Sequence, residues 1–172
     1  NFEPSAFENY PLPSVINPDH EDGTWGEPHD DLIAKIWTEK DKFALGEPIV
    51  VYYIVKNISH EDIVMWLSGF WPNNLIILTN PDGEQITSDD AGLGFDPGGD
   101  RDKNVRWPMK PGDINTILPN YNIGNFFDIK KPGKYSVQYL YEEYGGWEGQ
   151  LFSNILHFEI IDRLDDGHLQ TP

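Results

Sequence analysis

Residues 128–143 read DIKKPGKYSVQYLYEE. Pro132-Gly133 is a turn signal. One residue later Tyr135 opens an alternation with Val137 and Tyr139, the period-two pattern of a strand with one buried face. In Greek-key sandwiches a tyrosine near the start of the penultimate strand sends its hydroxyl back across a corner to upstream backbone. The Pro-Gly-x-Tyr order is the sequence form of that corner. Tyr135 is therefore expected to be a structural corner tyrosine, and this segment the penultimate strand.

The flanking sequence agrees. LFSNILHFEII (151–161) reads as one long closing strand, joined to its predecessor by the loop YGGWEG (144–149). Upstream, DLIAKIWTE (31–39), IVVYYIVKN (49–57) and DIVMWLS (62–68) carry strand patterns. NLIILTNPDGEQIT (74–87) reads as a hairpin about Pro81-Asp82-Gly83. VRWPMK (105–110) is a short strand, which Pro108 places at an edge. Pro111-Gly112-Asp113 turns into INTIL (114–118). Trp37 and Trp66, both in strands, are expected in the core. No segment holds a helical period over an extended window. About eight short strands separated by turns indicate an all-β sandwich.

Residues 1–31 differ. They hold eight acidic residues, no lysine or arginine, and prolines at 4, 11, 13, 18 and 28. The expectation is an extended, acidic, Pro-rich N-terminal arm that wraps the domain or lies on a neighbour, with Phe2, Phe7, Tyr10 and Trp25 as anchors. The sandwich spans residues 32–162, and residues 163–172 form a polar C-terminal tail.

The Pro-Gly-x-Tyr strand, the closing SNILHFEI (153–160) and the opening LGEPIVVYYIVKN (45–57) together resemble bacterial immunoglobulin-like domains. The resemblance covers roughly residues 32–162 and implies an immunoglobulin-like Greek-key sandwich. VKNISHEDIVMWLSG (55–69), then NPDGEQI (80–86) and a Pro-Gly-Asp turn, are similar in order to the bacterial intracellular proteinase inhibitor family. They are similar also to accessory sandwich domains of secreted bacterial proteins. The acidic arm and the long 88–104 segment depart from the inhibitor pattern, so no reactive residue is carried over.

Charge narrows the partners. The 172-residue chain has 29 acidic and 12 basic side chains and a net charge of −17. Nucleic acid and anionic membrane surfaces both require clustered Lys and Arg, so neither is expected as a partner. No run of 18 apolar residues exists to insert into a membrane. Without cysteine, disulfides, thiol catalysis and Cys-ligated zinc are excluded. The start at Asn1 rather than methionine is read as favouring export, to the periplasm or outside the cell.

Chemistry is sparse. There is no Gly-x-Ser-x-Gly elbow and no phosphate loop. Paired carboxylates such as Glu142-Glu143 carry little weight among so many acids. No enzyme activity is expected. His20, Glu21, Asp22, His29, Asp30 and Asp31 are ligand types for zinc or copper, but in no known finger or metalloprotease spacing. GFDPGGDRDKN (94–104) is the better metal candidate. Asp100, Asp102 and Asn104 alternate as calcium ligands do, and Asp96, or Asp89 and Asp90, could complete the shell. An EF-hand loop beginning at Asp100 requires glycine at position 105 and glutamate at position 111, where Val105 and Pro111 stand. Calcium is thus the one cofactor weighed, against a solvated turn in which Arg101 and Lys103 screen the acids.

Trp71, Tyr144 and Trp147 sit in expected loops. Loop aromatics either cap a sandwich or face a ligand such as a sugar ring or a partner protein. The function expected is a non-catalytic binding or structural module of an exported bacterial protein that engages a protein partner or assembly. The alternatives are a proteinase inhibitor acting through an exposed loop and a calcium-assisted carbohydrate-binding module.

Overall fold

The computed structural model describes residues 24–67, 74–93, 105–115, 120–142 and 149–162. These residues form an all-β sandwich. Twelve strands occur among them: β1 (Leu32–Trp37), β2 (Lys42–Ala44), β3 (Val50–Asn57), β4 (Ile63–Leu67), β5 (Asn74–Thr79), β6 (Gln85–Thr87), β7 (Val105–Met109), β8 (Ile114–Asn115), β9 (Tyr121–Asn122), β10 (Gly133–Glu142), β11 (Gln150–Phe152) and β12 (Leu156–Ile161). The first sheet runs β1-β3-β8, with β9 also paired to β3. The second runs β2-β12-β10-β5-β6, with β11 extending the β10 ladder. β4 and β7 form a separate antiparallel ribbon, in which Pro108 faces Val64.

The core lies between the two sheets. Leu32, Ala34, Ile36, Val51, Tyr53 and Val55 come from the first, and Ile76, Leu78, Val137, Tyr139 and Phe158 from the second. Period-two alternation puts each set on one face of its sheet. Tyr53 and Tyr139 meet edge to face at 5.2 Å across the gap, an arrangement favoured by the ring quadrupoles. Burial pushes the ionisation of both phenols far up, so they stay neutral. Trp37 departs from the expectation of a core tryptophan. It stacks on Tyr52 at 5.3 Å, outside the main core cluster, because its place in the alternation turns it to the outer face.

The chain changes sheet between β1 and β2. β1 is antiparallel to β3, with Leu32 opposite Asn57 and Trp37 opposite Tyr52. Five residues later β2 joins the second sheet, parallel to β12, with Phe43 opposite Ile160. Phe43 then packs edge-on to Phe158 at 6.1 Å. The expected closing strand is two strands, β11 and β12. At the break Ser153 pairs with Ala34 of β1, and its hydroxyl accepts from Tyr139 N at 2.9 Å. The Asn154 amide accepts from Ile36 N at 2.7 Å and donates to Ile36 O at 3.0 Å, as a neighbouring strand would. Other asparagines fill similar gaps. Asn57 donates to Glu61 O at 2.8 Å and Met109 O at 2.9 Å. Asn120 accepts from Tyr53 N at 3.1 Å, and Asn122 from Ile49 N at 2.8 Å. Buried backbone groups must be paired, and a side-chain amide supplies both donor and acceptor where a ladder stops.

Residues 24–31 are tied to the sandwich. His29 and Leu32 exchange two backbone hydrogen bonds of 2.9 Å, and Gly26 N donates to Ala34 O at 2.8 Å. Asp30 and Asp31 between them have φ of +43° and +64°. Positive φ at both central residues is the primed hairpin turn, which normally selects Asn-Gly or Asp-Gly. The arm boundary expected after residue 31 therefore falls inside a hairpin. Gly26 is needed where it stands: a Cβ there would lie 2.1 Å from Phe152 O. The remainder of the arm and the C-terminal tail lie outside the described residues.

Candidate binding site

Trp71, Tyr144 and Trp147, and the calcium candidates Asp96, Asp100, Asp102 and Asn104, all lie outside the described residues. Their flanks are described. Leu67, before the 68–73 segment, pairs with Val105, just after the 94–104 segment. Asn74, after the 68–73 segment, pairs with Tyr141. Glu142 and Gln150, bounding the 143–148 segment and its neighbours, pair with one another, and the Gln150 amide donates to the Glu142 carboxylate. The last two rungs are adjacent on β10, at one end of the second sheet. The same end holds buried Tyr139, Tyr141, Leu151 and Asn74.

The opposite end holds Tyr135. Its hydroxyl donates to Lys131 O at 2.7 Å, and its ring stacks on Phe158 at 5.5 Å and 8°. Burial raises its ionisation, partly offset by the bond to Lys131 and the lysine charge. Lys131 Nζ also grips both carboxylate oxygens of Asp82, at 2.6 and 2.7 Å, tying this corner to the β5–β6 turn. Gly133, at φ +141°, packs on Pro81, where a Cβ would come within 2.8 Å of the ring.

Beside the corner lies an open cleft of about 340 Å³, with Leu78, Ile86, Phe126 and Phe127 among its apolar walls. Its rim charges are already paired, Lys131 with Asp82 and Lys130 with Asp128 at 2.7 Å. Such a cleft can hold a small apolar group, but its compensated rim gives little charge selectivity. Phe126 and Phe127 escaped the sequence reading, because they follow a short 3-10 turn, Ile123–Asn125, with no strand or helix period around them. Asp89 and Asp90 lie in the short turn Asp89–Leu93, where Asp90 Oδ2 accepts from Thr87 Oγ1 at 2.7 Å and Thr87 N at 3.0 Å. Those bonds hold its carboxyl below the usual range. Among the described residues no group of three or more His, Asp or Glu could hold a metal ion. Among them, too, no helix is long and apolar enough to cross a membrane.

No family model and no curated protein matches the chain. Solved structures do. A mutant β-glucosidase from Listeria innocua in complex with laminaribiose matches with a TM-score of 0.41 at 13% identity, over 75% of this chain and 16% of that one. The same organism's β-glucosidase in complex with isofagomine matches at a TM-score of 0.40, 13% identity, 75% and 16%. This chain thus spans under a fifth of the length of those proteins. Similarity at this level transfers neither fold nor activity, and the sandwich rests on its own strand pairing.

Proposed function

We propose that the chain is an immunoglobulin-like binding or structural module of an exported bacterial protein, engaging a protein partner through the loop end of its second sheet. The immunoglobulin-like part is supported by the sheet change, with β1 antiparallel to β3 and β2 parallel to β12, and by the Tyr135–Lys131 hydrogen bond. The binding part rests on one observation, the adjacent rungs Asn74–Tyr141 and Glu142–Gln150. Trp71 stands three positions before Asn74 in the sequence and Trp147 three before Gln150. Immunoglobulin-like sandwiches carry ligand contacts on loops gathered at one end, held by the rigid sheet beneath.

The test is isolation of the full-length native protein with whatever accompanies it, repeated with Trp71→Ala and Trp147→Ala. The expected result is a stoichiometric protein partner lost from both variants. Retention of the partner by both variants would sink the loop-end reading. Stoichiometric loss of protease activity on mixing would replace it with the inhibitor, and calcium-dependent retention on a polysaccharide column with the carbohydrate module.

A further inference from the structure

A strand at the end of a sheet turns alternate backbone N–H and C=O groups outward, a template for pairing with another chain. Among the described residues β2 and β6 end the second sheet. In β2 the inward bonds fall at alternate positions. Asp41 O accepts from Glu159 N at 2.8 Å, and Leu45 N donates to Ile161 O at 2.9 Å. The backbone of Ala44 therefore faces outward. Glu47 closes both of its groups: the carboxylate accepts from Ala44 N at 2.8 Å, and Glu47 N donates to Ala44 O at 2.9 Å. Lys40 Nζ donates to the other carboxylate oxygen and fixes it. In β6, Asn80 N donates to Glu84 O and Ser88 N to Ile76 O, each at 2.9 Å. The backbone of Thr87 therefore faces outward by antiparallel alternation. Asp90 Oδ2 accepts from Thr87 N at 3.0 Å. Each end of the second sheet thus carries one carboxylate on an outward N–H. Lys40 and the Ala44 amide hold the Glu47 carboxyl below its ordinary value, and Thr87 does the same for Asp90. Both are ionised, and so pure acceptors, at neutral pH. β1, which ends the first sheet, is closed by an uncharged group, the Asn154 amide at Ile36.

We propose that the edges of the second sheet are self-association surfaces for a second copy of this chain, held shut by Glu47 and Asp90. A second copy fits because an edge strand is complementary to itself. Turned about a two-fold axis, β2 meets β2, or β6 meets β6, as an antiparallel pair exchanging backbone bonds. Both strands are three residues long, so each has only two outward-facing residues, Lys42 and Ala44 in β2, Gln85 and Thr87 in β6. Closing one of the two leaves too short a ladder to pair. The carboxylate also acts by charge, since its own copy would face it across the two-fold axis, and like charges there repel. Symmetry sets what each opened edge does. One open edge pairs once and stops at a closed dimer, whereas two open edges on one molecule build open-ended chains. The inference is independent of the loop-end reading, which involves neither β2 nor β6.

The experiment is sedimentation equilibrium of the full-length protein, with amide hydrogen exchange read at Ala44 and Thr87. Wild type is compared with Glu47→Ala, Asp90→Ala, the pair of alanine substitutions, and the pair Glu47→Gln with Asp90→Asn. The last pair loses the same charge but keeps an acceptor oxygen at each edge. The expected result is a dimer for each single alanine variant and larger species for the alanine pair. Wild type and the amide pair stay monomeric at the same concentration. The Ala44 and Thr87 amides of the dilute alanine pair should exchange about tenfold faster than in wild type. Association of the alanine variants no stronger than that of wild type overturns the proposal. Equal association of the amide pair and the alanine pair also overturns it, because lost charge alone would then explain the effect. Wild type supplies a readout that needs no variant to fold. Its Ala44 and Thr87 amides should be protected from exchange at neutral pH, and free-amide rates at both would overturn the proposal.

Discussion

At the scale of the residue, the Tyr135 hydroxyl carries one bond that phenylalanine cannot make. It donates to Lys131 O while the ring stays fixed on Phe158. Tyr135→Phe should keep the packing and cost about 1 kcal/mol, the typical net worth of an intramolecular hydrogen bond. A denaturant midpoint within error of wild type would show that the corner bond contributes nothing. Asp90 offers a pH-dependent counterpart. Its carboxyl is held below the ordinary value by Thr87, so its contribution to stability is complete above that ordinary value and is lost as pH falls through the still lower folded one. Thr87→Val should raise the Asp90 titration midpoint, read by carbon-detected NMR. An unmoved midpoint would mean that the Thr87 hydroxyl bond to Asp90 is absent in solution.

At the scale of the element, what pattern reading misses is where a strand stops. LFSNILHFEII is continuous by composition, but Ser153, still bonded to Tyr139 of β10, also bridges to Ala34, and Asn154 turns to Ile36 of β1. Asn154 completes the edge of β1 by bonding both backbone groups of Ile36. Asn154→Ala should therefore destabilise the protein by about 1–3 kcal/mol, the cost of leaving partly buried backbone groups unsatisfied. Thermal unfolding of the variant measures this, and a loss below half a kilocalorie, about what an ordinary surface substitution costs, would show that water replaces the amide. The Asp30-Asp31 hairpin was hidden for a different reason. Its primed turn lacks the glycine that would announce it, and aspartate adopts positive φ only at some cost. β2 was hidden because three residues, KFA, are too few to show a period.

At the scale of the molecule, a chain with net charge −17 repels itself, so any salt should raise its melting temperature. Calcium binding to the 94–104 loop would add to that general effect by mass action. The discriminating measurement is the melt in excess EDTA, in millimolar calcium, and in sodium chloride of matched ionic strength. The solvated-turn reading expects equal melting points in the last two. A calcium-specific rise of several degrees, absent in Asp100→Ala and Asp102→Ala, would instead establish a metal site.

The all-β class, most strand positions and the pairing of the last strands with the tyrosine corner segment were set by sequence alone. Each follows from local causes: period-two alternation, β-branched and aromatic content, and turn dipeptides such as Pro132-Gly133. The sheet change between β1 and β2, the division of β11 from β12 and the burial of both faces of β3 were decided only by tertiary structure. β3 shows why. IVVYYIVKN is apolar without a break, which suits a strand covered on both sides, but nothing in the run says what covers it. Coverage and sheet exchange depend on contacts between residues more than a hundred positions apart, such as Ile36 with Asn154. Local propensity carries no record of such contacts.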